Sequence, residues 1–155
     1  MMKIVGKCKI MGFTLLELVI ALGVMSIVAL MATPSVSASL QKARLVKHAN
    51  ELSSVFKLAR SEAVKRENTV ELRVKDGNWI VSAIHNGQDE VINEFSVQDP
   101  ALNITLIDRT ISPTGEINLA SNILIHNKYD DSYDLRFCIL QSGQSWLTKA
   151  KNQCV

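Results

Sequence analysis

Marks of catalysis are missing from this sequence. It holds no Gly-x-Ser-x-Gly elbow and no phosphate-binding glycine loop. Its three histidines, His48, His85 and His126, stand apart, and no metal-ligand spacing links them to a cysteine or an acid. Each reads as surface or turn decoration. Without a clustered acid–base or nucleophile signature, neither an enzymatic activity nor a cofactor is expected. Repeats and low-complexity segments are absent too. Charge is missing from one long stretch: from Phe13 to Ala32 the only charged residue is Glu17, and no acid precedes it.

What is present begins with that stretch. A chain of 155 residues allows one domain plus an anchor. Twenty residues of helix span about 30 Å, the thickness of a bilayer's hydrocarbon core. Lys3, Lys7 and Lys9 before the run predict a cytoplasmic N-terminus, with everything after Pro34 outside the cytoplasm. An ordinary secretory signal is the competing reading, with "SVSA" at 35–38 as its cleavage site. The length of the run and its carboxylate speak against it. A lipoprotein is excluded because Cys8 precedes the run rather than following it. A plain anchor leaves Glu17 as an unexplained cost, since an acid at mid-helix costs roughly 2.5–3.5 kcal/mol. Cleavage between Gly12 and Phe13 would create an amine four residues before Glu17, on the same helical face. The two charges can pair within one chain or, better, between neighbouring chains.

The string "G-FTLLEL" behind a short basic leader resembles the class III leader and N-terminal helix of type IV pilins and type II secretion pseudopilins. That resemblance implies that Gly12 ends the leader, that a prepilin peptidase cuts after it, and that Phe13 is N-methylated. It also implies that Glu17 registers subunits during assembly and that Pro34 marks a helix kink. A second string, "NELSSVFKLARSEAVKRENTVEL" from Asn50 to Leu72, is similar to the GspH/FimT group of minor pilins and H-type pseudopilins, above all through "LARSEAVKR". The expected partners are other pilins or pseudopilins, the peptidase and the inner membrane, before passage into a pilus or pseudopilus. Many members of the T-type branch end in a Gly-Arg-x-Arg-like motif linked to DNA binding. This chain ends "SWLTKAKNQCV" and lacks it, so DNA contact through Arg136, Lys149 and Lys151 is the weaker alternative to a subunit interface.

Beyond Pro34, Leu45, Ala49, Leu52, Phe56, Ala59 and Ala63 recur at spacings of four and three and define one apolar helix face. Lys42, Arg44, Lys47, Lys57, Arg60, Lys65 and Arg66 read as its solvated basic side. Pro34 lacks an N–H and disfavours helix just before it, and Asn68 is a plausible stop. "TVELRV" and "WIVSAI" flank the turn signal "KDGN" and predict a hairpin. "EVINEFSV", "NITLI", "EINLA", "ILIH" and "YDLRFCIL" follow as short strands. The expectation is an α+β fold: leader 1–12, transmembrane and assembly half-helix 13–33, amphipathic half-helix 34–67, and an antiparallel, sandwich-like β domain 68–155 outside the cytoplasm. Cys8 leaves with the leader, so Cys138 and Cys154 remain as an even pair in an oxidising compartment. A disulfide is favoured over two free thiols. Asp130, Asp131 and Asp134 suggest Ca²⁺, but they lack the glycine and distal glutamate of an EF-hand, so a solvated turn and no metal is the better reading. Charge is polarised: residues 67–134 carry twelve acids and four bases, while 41–66 carry seven bases and two acids. Such an acidic body argues against bulk nucleic-acid binding.

Overall fold

A computed structural model describes residues 13–85 and 88–154; the side chains of 30–35 and of His85 lie outside the description. One helix, α1 (Leu15–Lys65), precedes eight strands: β1 (Val70–Lys75), β2 (Asn78–His85), β3 (Gln88–Phe95), β4 (Leu102–Ile104), β5 (Arg109–Ile111), β6 (Ser121–Asn127), β7 (Leu135–Ile139) and β8 (Ser145–Lys149). The chain divides into two compact units, one ending at Ser39 and one beginning at Leu40. In the first unit, every residue from Phe13 to Ala29 is exposed.

The second unit is built on the expected helix face. Leu45, Ala49, Leu52, Phe56, Ala59 and Ala63 are all at most 1% exposed. They join the inner faces of two antiparallel four-stranded sheets, ordered β3-β2-β1-β5 and β4-β6-β7-β8, in one core. Full burial of a Leu or Phe side chain contributes roughly 1.5–3 kcal/mol. Phe56 of the helix meets Phe137 of β7 edge to face at 5.8 Å. The α+β expectation holds.

The helix stops without glycine. Glu67 takes the left-handed conformation at φ 49°. Its N–H bonds the Val64 carbonyl at 3.3 Å, and the Asn68 N–H reaches Ala63 at 3.1 Å. This is a Schellman cap, so the stop belongs to Glu67 and Asn68 merely completes it. The expected hairpin is β1–β2: Lys75 faces Asn78 across Asp76 (φ 53°) and Gly77 (φ 79°), both left-handed as a type I′ turn demands.

Two expectations about strands need correction. "EINLA" is not a strand; only Ile117 makes a bridge, to Ile111. Its neighbours are spent elsewhere: the Glu116 carbonyl closes a turn to the Ser112 N–H, and the Ile117 N–H bonds Gln141. Conversely, "RTI" and "SWLTK" form β5 and β8. Close to the C-terminus, β8 is therefore an edge strand.

Candidate functional site

At the start of α1, the Glu17 N–H donates to the Thr14 hydroxyl at 3.2 Å, and the Leu18 N–H to the Thr14 carbonyl at 3.1 Å. Thr14 is thus the N-cap and Glu17 the third helical residue, the spacing of a capping box. An acid in the first turn also complements the helix dipole. The Glu17 carboxylate makes no ion pair among the described residues. Around it Phe13, Leu15, Leu16, Leu18, Val19 and Ile20 are all exposed by more than half. Among the described residues no helix is long and apolar enough to cross a membrane, and the expected span 13–33 is described only in part. Gly12 lies outside the described residues, and Pro34 lies within α1 with its side chain outside the description.

Cys138 and Cys154 are bonded to each other, with Cα atoms 5.6 Å apart. Arg136, expected as a free basic contact, is engaged. Its Nε and Nη2 donate to the Ala150 carbonyl at 3.1 and 2.8 Å, and Nη1 to Asn122 Oδ1 at 2.9 Å. Only Lys149 and Lys151 of that trio stand exposed.

The acidic cluster does not converge. Among the described residues no three His, Cys, Asp or Glu side chains could share a metal ion. Asp130 accepts the Ser132 N–H at 2.9 Å, and hydrogen bonds from Ser132 hold its carboxyl below the usual range. Asp134 is no solvated turn residue: it is buried, accepts the Asn127 N–H at 2.9 Å, and lies 2.6 Å from His126 Nδ1. It pins β6 to β7. His126 is therefore a partner rather than decoration, and His48 is buried on the helix, 3.5 Å from Glu51.

Part of the helix's basic side is also engaged. Lys42 Nζ lies 5.3 Å from the centre of the Tyr133 ring, a cation–π contact. Arg60 Nε donates to the Gly115 carbonyl at 2.9 Å and Nη2 to Ser142 at 3.3 Å. Gly115 (φ 81°) and Gly143 (φ 78°) are left-handed, and a Cβ on Gly143 would overlap the Gly115 carbonyl. Two glycine turns thus close on one guanidinium, which sequence spacing alone could not reveal. Beside it runs a groove of about 980 Å³, lined by Lys57, Arg60, Lys65, Ser145 and Trp146 among others, and by no acid.

The family model for type II transport protein GspH matches residues 48–143, from the buried helix face to the β7–β8 turn. The chain belongs to this family as a GspH/FimT-like pilin. The type IV minor pilin FimU of Pseudomonas aeruginosa (strain PAO1) is similar in structure. One crystal form gives a TM-score of 0.60 at 17% identity over 70% of this chain and 90% of FimU. Another gives 0.55 at 18% identity over 66% and 90%. At such identity the likeness speaks for the fold. A comparison with curated proteins found no match.

Proposed function

We propose that the chain is a minor pilin, a structural subunit rather than an enzyme, that a prepilin peptidase processes at the inner membrane. It then joins the tip or priming complex of a type IV pilus. The observation that carries this reading is the exposed apolar helix surface with Glu17 alone among it. In this reading the surface is covered first by lipid and then by neighbouring pilin helices. Glu17 pairs with the Phe13 amine released by cleavage after Gly12, Phe13 is methylated, and Pro34 marks a bend between the half-helices. The β domain selects neighbours.

A second reading, an H-type pseudopilin of a type II secretion system, draws on the description of the matching family. Both readings use the same peptidase and the same helix. DNA uptake is weaker, since Arg136 is committed to Ala150 and Asn122. Co-expression with a prepilin peptidase tests the shared step. N-terminal sequencing should find a chain starting at Phe13, and one starting at Ser39 would sink the pilin mechanism. Deleting the gene should then lower pilus number for the first reading, or block secretion with pili intact for the second.

A further inference from the structure

Strand β8 ends its sheet, and its outward edge can be read residue by residue. The Leu140 N–H bonds the Gln144 carbonyl at 2.9 Å, and the Ala150 N–H bonds Asp134 at 3.0 Å. These bonds fix the alternation of the β7–β8 ladder, in which every second pair exchanges no hydrogen bonds. Ser145 opposite Ile139, Leu147 opposite Phe137 and Lys149 opposite Leu135 are those pairs. Their N–H and C=O groups point away from β7. Among the described residues only the Lys149 carbonyl is used, by the Asn152 N–H at 2.9 Å. An edge of this kind is a template for another strand.

The start of that edge, at Ser145 and Trp146, borders the acid-free groove. Lys57 makes no ion pair among the described residues, and Arg60 is bound only to neutral carbonyls. Lys65 has Glu62 at 3.8 Å, but Glu62 is committed to Arg66 at 2.7 Å. Lys57 and Lys65 are two turns apart, about 12 Å along the helix, which is the length of about four extended residues. Trp146, half-buried at the groove wall, offers a rigid anchor.

We propose that the β8 edge and this groove dock an extended acidic segment of another protein, added as a strand alongside β8. Its backbone pairs with Ser145 and Leu147, and carboxylates at alternate positions meet Lys57 and Lys65. A second copy of this chain is a poor occupant. Its one acidic edge strand, β3, already commits Asp89 to Arg73 at 2.8 Å, Glu90 to Arg66 at 2.6 Å and Glu94 to Asn78 at 3.0 Å. The other edges, β4 and β5, carry no acid. Nucleic acid fits the charge but has no alternating backbone donors and acceptors to match the strand. The proposal rests on the assembly-subunit reading only for where the partner comes from.

The test uses the full chain in detergent micelles and a blocked seven-residue peptide of alternating glutamate and valine. Amide exchange at Ser145 and Leu147, followed by NMR, should slow at least tenfold at saturation. A lysine–valine peptide should leave it unchanged. Ser145→Pro removes one outward N–H at a position where an edge strand tolerates proline. It should weaken binding at least tenfold, as should the double variant Lys57→Glu/Lys65→Glu. Those two lysines are exposed, so the double variant decides alone if Ser145→Pro fails to fold. No protection by the acidic peptide, or binding indifferent to charge reversal, overturns the proposal. So does an oligothymidylate of equal charge protecting the same amides equally well. Each of these results leaves leader cleavage and the role of Glu17 untouched.

Discussion

Glu17 carries two explanations that make different demands on its neighbours. As the third residue behind the Thr14 cap it is stabilised locally, since a carboxylate near a helix N-terminus gains about 0.3–1 kcal/mol. As an assembly group it needs an amine from another subunit. Glu17→Ala should therefore leave helix content and cleavage nearly unchanged but reduce recovery of the subunit in sheared filaments. Thr14→Val, which removes the cap hydroxyl, should fray the first turn by circular dichroism while recovery stays high. Equal recovery for Glu17→Ala and wild type would reduce the acid to a capping residue. The acid was legible in the sequence but the Thr14 cap went unread, although a Thr three residues before a Glu in "TLLE" is the signal that could have found it. The pinning of β6 by Asp134 was not legible, because only the antiparallel register brings it beside His126 and Asn127. Glu67 was hidden for another reason: a left-handed stop is usually signalled by glycine or asparagine, and here the strain falls on neither. Glu67→Gly should relieve it and raise stability by up to about 1 kcal/mol in urea denaturation.

Among the elements, the helix and the β1–β2 hairpin were legible because their periods of 3.6 and 2 meet clear punctuation. Strands β5 and β8 were not, since one is three residues long and the other, "SWLTK", does not alternate apolar with polar residues. With β8 paired along all of β7, the disulfide restrains mainly the residues after β8. Cys154→Ser should still cost roughly 2–4 kcal/mol if loop closure dominates. Faster amide exchange should be confined to residues 150–154, and melting of β8 as well would show that the bridge holds the strand itself. The end of the helix is joined to β3 through Arg66, which bonds Glu62 at 2.7 Å and Glu90 at 2.6 Å. The hydrogen bond from Arg66 holds the Glu62 carboxyl below its ordinary value of 4.5. Its folded pKa is thus lower than its unfolded one. The stabilisation is complete above the ordinary value and is lost as pH falls through the folded one. Glu62→Gln should make the thermal midpoint fall less steeply below about pH 4.5, and an unchanged acid limb would dismiss the pair as a contributor.

For the molecule as a whole, the charge asymmetry seen in the sequence has acquired an address. The acids of β3 are matched within the chain, whereas the cations beside β8 have no carboxylate lining their groove. Sequence counting could find the imbalance but not this difference, because pairing depends on which strands are neighbours. The disulfide has a consequence of another kind. Its two ends lie on either side of the β7–β8 turn, where Gln141 and Ser142 are exposed. A protease that nicks the chain there creates two pieces but releases neither. The digested protein would run as an intact species on a gel until a reductant is added, so damage at this hairpin stays silent in the oxidising space where the reading above places it.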